Sequence, residues 1–213
     1  MATAVGKKFP DLNVDAMNEM GDTFKVNVLE EAVNNKKKVL LFWYPKDFTF
    51  VCPTELHAFQ AALGEFEKRN TIVIGASCDT PEVHFAWLSQ AKDHGGIEGV
   101  TYPLLADSNR NLSSVLGILD ITNETFDEAT QTVQVEGDNV TYRATYLIDE
   151  DGIVQHESIN NMPLGRNVGE YLRLVDALTH VQEKGEVCPA NWEEGKDAMA
   201  PNAKGTAAYL ASH

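Results

Sequence analysis

Two cysteines stand in different surroundings. Cys52 closes the run Pro45-Lys46-Asp47-Phe48-Thr49-Phe50-Val51-Cys52, and Cys188 lies far downstream in Val187-Cys188-Pro189-Ala190-Asn191-Trp192. The thiolate, not the thiol, is the nucleophile, and a free cysteine with a pKa of about 8.5 is mostly protonated at neutral pH. The first run supplies what favours the charged form. It follows an apolar strand and opens a helix, whose unpaired N–H groups and dipole attract negative charge. Thr49, three residues earlier, offers a hydroxyl to the sulfur or to an incoming oxygen. Pro45 fixes the turn after the strand and excludes water. An arginine would complete such a site. Arg143, inside an apolar strand pattern, and Arg166, in Pro163-Leu164-Gly165-Arg166, are the candidates. Cys188 falls in a Gly/Pro-containing tail, where a second thiol could move to meet the first. Together the two suggest a redox cycle. From the cysteine alone, a buried packing residue accounts for Cys52 equally well; its wrapping decides for chemistry.

The elements that must hold these residues follow from periodicity. Val39–Tyr44 is a continuous apolar run, as in a strand buried on both faces. Thr54 to Arg69 carries Leu56, Phe59, Leu63 and Phe66 at helical spacing. Thr71–Ala76 predicts a second buried strand, Pro81 to Lys92 a helix with proline in its first turn, Tyr102–Leu105 a short strand and Asn111–Leu116 a short helix. Gln131–Glu136 and Val140–Ile148 alternate around Gly137-Asp138-Asn139 and predict a hairpin. Ile153–Ile159 predicts a further strand. Asn167 to Gln182 predicts a helix, with Asn167 and Glu170 resembling a capping box. This order favours a mixed sheet with helices on both sides. Beyond Glu183 the chain turns polar and predicts a tail.

The chain has 213 residues, 43% of them hydrophobic, enough for one domain with its own core. Its net charge of −15 argues against nucleic acid and against an anionic membrane surface as partners. No apolar stretch approaches the roughly 18 residues needed to span a bilayer. Residues 1–8 lack the apolar core of a secretory signal. Three cysteines are few and odd in number, so the expected compartment is the reducing cytoplasm. No Cys-x-x-Cys pair and no Gly-rich phosphate loop occurs, which argues against a zinc ribbon, a dithiol reductase motif and a bound flavin or nicotinamide. Cys78, ending a strand with no basic neighbour in sequence, reads as a packed thiol. His84 and Trp87 read as helix-packing residues, and His57 as a surface or partly buried side chain.

Pro45-x-x-x-Thr49-x-x-Cys52 continued by Pro53-Thr54-Glu55 resembles the peroxidatic motif of the peroxiredoxins, in particular the typical two-cysteine branch that includes alkyl hydroperoxide reductase C-type proteins. Arg143-Ala144-Thr145-Tyr146-Leu147-Ile148-Asp149 is similar to that family's arginine strand, and Gly185-Glu186-Val187-Cys188-Pro189-Ala190-Asn191-Trp192 to its resolving-cysteine motif. The resemblance implies a thioredoxin-like α/β fold: a central mixed β-sheet flanked by helices, an N-terminal hairpin and a C-terminal extension. Residues 1–182 would be the peroxidase domain and 183–213 the tail. It implies a peroxide substrate attacked by Cys52, with Thr49 and Arg143 holding the oxygens, Pro45 shielding them, and Glu55 orienting Arg143 and Arg166. A Cys52–Cys188 disulfide between subunits would follow, reset by thioredoxin or a flavoprotein disulfide reductase. It implies no metal, haem or flavin, and a homodimer, five of which close a ring. Gly95-Gly96-Ile97-Glu98-Gly99 and Tyr209-Leu210 match in part the motifs of the over-oxidation-sensitive branch, implying intermediate sensitivity. The chain departs from the family in Leu119–Asn139, longer than usual and acidic, which reads as a solvated hairpin.

Overall fold

Lys38 to Trp43 forms β3, buried at every position in the structure, a computed structural model that describes residues 3–213. A strand with no polar face must be covered on both sides, and this one lies at the centre of a seven-stranded sheet in the order β2-β1-β5-β4-β3-β8-β9. The N-terminal hairpin is β1 (Asn13–Met17) and β2 (Thr23–Asn27), turned by Asn18, whose side-chain oxygen accepts from the N–H groups of Met20 and Asp22. α1 (Val28–Asn35) follows, capped by the Asn27 side chain. β4 (Thr71–Ser77) runs parallel to β3 and β5 (Leu104–Ala106) parallel to β4, while β8 (Arg143–Ile148) and β9 (Val154–Asn160) complete the other edge antiparallel. One face of β3 places Val39, Leu41 and Trp43 against Ile74, Ala76, Leu105, Tyr146 and Ile148. On the other face Phe42 stacks on Phe59 of α2 (Cys52–Ala61) at 4.0 Å between centroids, a pair worth about 0.5–1.5 kcal/mol beyond its buried area. That stack seats α2 on the sheet and fixes where its first residue, Cys52, must lie.

Several expected boundaries move. The helix expected from Thr54 to Arg69 starts at Cys52 and breaks at Ala62 (φ −95°, ψ 0°), giving α2 and α3 (Leu63–Lys68). The helix expected from Pro81 to Lys92 ends as α4 (Pro81–Leu88), because the Gln90 N–H turns to the Trp87 carbonyl three residues back and Ala91 is extended. α5 (Asn111–Leu116) is as expected.

The larger correction concerns the hairpin expected to join Gln131–Glu136 to Val140–Ile148. β7 (Thr132–Glu136) folds back on β6 (Asn123–Asp127) instead, and β8 pairs with β3 and β9. Burial explains the choice. All six residues of β8 are buried and need neighbours inside the main sheet, whereas β7 is exposed throughout. The turn between β6 and β7 is made by Asp127, whose carboxylate accepts from the Ala129 N–H, and by Gln131 in the left-handed region at φ 55°.

The elements to Arg166 form one compact unit, and Asn167–His213 form another. In the second, α6 (Val168–Lys184) is capped by Asn167, which accepts from the Gly169 N–H, and it stops at Gly185 with φ 65°. The segment expected to be a polar tail contains a helix, α7 (Ala203–Ser212), capped by Asn202. Among the described residues no helix is long and apolar enough to cross a membrane.

Candidate active site

Cys52 is the first residue of α2 and is fully buried, and the Thr49 hydroxyl lies 2.9 Å from its sulfur. The same hydroxyl lies 2.8 Å from the Lys46 carbonyl. One hydroxyl proton cannot serve both acceptors. With the sulfur as a thiol, S–H donates to Thr49 and Thr49 donates to Lys46; with a thiolate, the hydroxyl proton turns to sulfur. The pairing therefore accommodates both protonation states without moving a heavy atom.

Arg143, at the start of β8, brings its Nη1 to 3.4 Å from Cys52 Sγ and 2.7 Å from Glu55 Oε2, while its Nε donates to the Met162 carbonyl at 2.6 Å. Glu55, one helical turn after Cys52 and buried, holds a second guanidinium as well. Arg166 donates Nε and its backbone N–H to Oε1, each at 2.9 Å, and Nη2 to Oε2 at 2.8 Å. Gly165 permits this close pass of the backbone, since a Cβ there would stand 3.3 Å from Val51 Cγ1. Arg166 is further fixed by Ala144 O and Thr145 Oγ1 and by the face of Phe42, 5.0 Å from its guanidinium carbon. Burial alone would push the Glu55 carboxyl up. The hydrogen bonds and charge of Arg166, then the charge of Arg143, outweigh it and hold the carboxyl below its ordinary range. The fork-to-carboxylate geometry is what arginine offers and lysine does not.

Pro45 is buried immediately after β3, as expected for the turn that carries the chain towards Cys52. What sequence reading did not single out is the network that pins this turn. Tyr44 donates its hydroxyl to Asp47 Oδ1 at 2.9 Å, and Asp47 Oδ2 lies 2.7 Å from Nδ1 of His84. The other ring nitrogen of His84 meets the Leu105 carbonyl, the Asp47 N–H donates to Asp79, and the Thr141 hydroxyl donates to the Tyr44 carbonyl. Burial would lower His84, but its hydrogen bond to Asp47 and that carboxylate's charge carry it above its usual value. His84, expected as mere helix packing, thus ties the Cys52 turn to α4. Trp87 is buried beside it and donates its indole N–H to Gly95 O.

The remaining candidates have partners of their own. Cys78 is half-buried beside Ser113 at 3.7 Å, and burial pushes its thiol up to about 11, which fits an inert packed residue. His57 meets the Gly96 carbonyl at 3.1 Å. Cys188 belongs to the second unit, where its sulfur faces the Ala177 carbonyl at 3.7 Å and burial raises its thiol above the ordinary value. All three cysteines are free.

The arrangement, a buried sulfur with a hydroxyl on one side and a guanidinium on the other, can hold a nucleophile and stabilise negative charge developing on an oxygen beside it. Thr49→Val is expected to slow attack of the Cys52 sulfur on an electrophilic oxygen by about 10²-fold, with Thr49→Ser recovering most of it. Competition kinetics would check this, and an unchanged rate would show that the hydroxyl is idle.

The AhpC/TSA family matches residues 5–157, and the C-terminal domain of 1-Cys peroxiredoxin matches residues 177–211. The chain is 40% identical to alkyl hydroperoxide reductase C of Helicobacter pylori (97% of this chain, 96% of that protein). It is 38% identical to the chloroplastic 2-Cys peroxiredoxin BAS1 of Hordeum vulgare (98% of this chain, 90% of that protein). Its fold superposes on the reduced 2-Cys peroxiredoxin of Plasmodium vivax with a TM-score of 0.86 at 40% identity, covering 99% of this chain and 100% of that one. The thioredoxin-like α/β fold expected from the sequence is thereby borne out.

Proposed function

The chain belongs to the AhpC/TSA family of peroxiredoxins and is a thiol peroxidase, and on that premise we propose how its own residues carry the reaction. The Cys52 thiolate attacks one peroxide oxygen. The O–O bond breaks, the distal oxygen leaves with a proton as water or alcohol, and sulfur is oxidised by two electrons to sulfenic acid. Thr49 and Arg143 align the oxygens and stabilise the charge on the departing one, Pro45 keeps water out, and Glu55 positions Arg143 with Arg166 behind it. The observation that carries this reading is the sulfur held between Thr49 Oγ1 at 2.9 Å and Arg143 Nη1 at 3.4 Å.

Cys188 of a second subunit then attacks the sulfenic sulfur, an S–S bond forms and water leaves. An external dithiol, thioredoxin or a flavoprotein disulfide reductase, restores both thiols by exchange. The residues to 182 act as the peroxidase domain and 183–213 deliver the resolving thiol. The working unit is a homodimer, assembled as five dimers in a ring, in the reducing cytoplasm where free thiols persist. A second reading keeps Cys188 inert. Its supports are the match of residues 177–211 to the C-terminal domain of 1-Cys peroxiredoxin and the raised Cys188 thiol.

Denaturing, non-reducing mass analysis after one equivalent of hydrogen peroxide separates the two. A species of twice the chain mass, absent in both Cys52→Ser and Cys188→Ser, is expected. A monomer that has only gained oxygen would establish the one-cysteine reading.

A further inference from the structure

The hairpin β6–β7 takes no part in the chemistry above. Among the described residues its strands pair only with each other, so both outer edges keep free backbone groups. The register sets Phe126 opposite Val133 and Glu124 opposite Val135, and strand alternation puts these four side chains on one face. That face is open to solvent: Phe126 is 58% exposed, Val133 54% and Val135 41%. The opposite face carries Asn123, Thr125, Asp127, Thr132, Gln134 and Glu136. Residues 119–139 hold six carboxylates and no lysine or arginine.

The root is well anchored. Leu119 bridges to Thr141, the Asp120 N–H donates to the Val140 carbonyl at 2.8 Å, Tyr142 donates its hydroxyl to Asp120, and Arg110 donates to the Asn139 carbonyl. A two-stranded sheet with one apolar face is marginal in water and gains by covering that face.

Charge decides what covers it. A second copy of the chain would set six carboxylates against six with no cation between them. We propose that this hairpin is a docking surface for a partner protein that adds an extended strand, its apolar side chains on the face of Phe126, Val133 and Val135 and its lysines or arginines on the opposite face, with Asp127 and Glu136. Edge pairing supplies the backbone bonds, the apolar face the burial, and the acidic rim the selection for a basic strand against self-association. The root lies two residues before Arg143, so a docked partner is brought to the end of the sheet where Cys52 sits.

The probe is an end-blocked, fluorescent peptide, Lys-Val-Lys-Phe-Lys-Val-Lys, titrated against the full chain by anisotropy. Binding that weakens with added salt is expected. It should fall at least about tenfold in Phe126→Ser/Val133→Ser, which keeps every charge, and in Asp127→Asn/Glu136→Gln, which keeps the apolar face and a side-chain oxygen for the Ala129 N–H. A peptide of the same composition with its four lysines in one block should bind at least about tenfold more weakly. Glu30→Gln/Glu31→Gln on α1 should leave binding unchanged, and all three variants should keep wild-type peroxidase activity, which reports an intact fold. Equal binding by hairpin and α1 variants, or by the block peptide, would reduce the effect to unspecific charge attraction and overturn the proposal. A loss of self-association in Phe126→Ser/Val133→Ser by sedimentation would overturn it in favour of a second copy.

Discussion

Cys52→Ser is expected to lose turnover of hydrogen peroxide by at least about 10⁴-fold while folding normally, the size of effect seen when a nucleophile is removed from a site that acts as a unit. Serine fills nearly the same space at the first position of α2, so Thr49, Arg143 and Glu55 keep their places. What is lost is the atom that can be anionic and soft at neutral pH, since a serine hydroxyl with no adjacent base stays protonated. Stopped-flow peroxide consumption, with the melting temperature measured alongside, checks both halves. Retained turnover would move the chemistry away from Cys52. A scaffold or holdase role, by contrast, would be indifferent to the substitution.

Glu55→Gln is expected to cost about 3–5 kcal/mol of stability, because it leaves two buried guanidiniums facing a neutral amide. In the native site Glu55 takes four hydrogen bonds from Arg143 and Arg166. The pH dependence has a definite sign. The folded-state carboxyl lies below its ordinary value of 4.5, so its contribution is fully present above about pH 4.5 and is lost as pH falls through the lower folded value. Urea unfolding from pH 7 downwards should therefore show the wild-type advantage over Glu55→Gln constant at first and shrinking only below about pH 4.5. A difference under about 1 kcal/mol at pH 7 would mean that the arginines are held without Glu55. Peroxide turnover should fall as well, since Arg143 loses the anchor that keeps one nitrogen on the sulfur.

The site was legible where its residues are close in sequence. Pro45, Thr49 and Cys52 lie within one turn, so their spacing alone suggested that they meet, whereas Glu55, one helical turn on, was named only through the family resemblance. Arg143 and Arg166 were legible as candidates only, because nothing local says which residue of a strand or loop will meet a helix some 90 or 110 positions earlier. Asp47 and His84 escaped for the same reason: their partners come from 37 residues away, and a lone histidine on an apolar helix gives no sign of what it will face. The hairpin error has a different cause. Gly137-Asp138-Asn139 is a sound turn signal and both flanks alternate, but turn chemistry cannot choose between two neighbours. The choice was made by the need to bury β8 on both sides, a property of the assembled sheet. The break at Ala62 has only Gly64, two residues on, to announce it, and a single glycine is tolerated inside a helical pattern.

Glu55 also sets the electrical balance of the pocket across the catalytic cycle. Two guanidiniums face one carboxylate, and a thiolate at Cys52 makes the buried cluster neutral. A neutral hydroperoxide thus enters an environment already at balance. Once sulfur carries a hydroxyl, one positive charge stands uncompensated away from water, a costly condition. It is relieved by an arriving thiolate or by further oxidation to a sulfinate, and both bring negative charge. A pocket that holds a Cys52 thiolate is balanced and one that holds the sulfenic acid is cationic, so an anion is drawn in only once the sulfur has been oxidised.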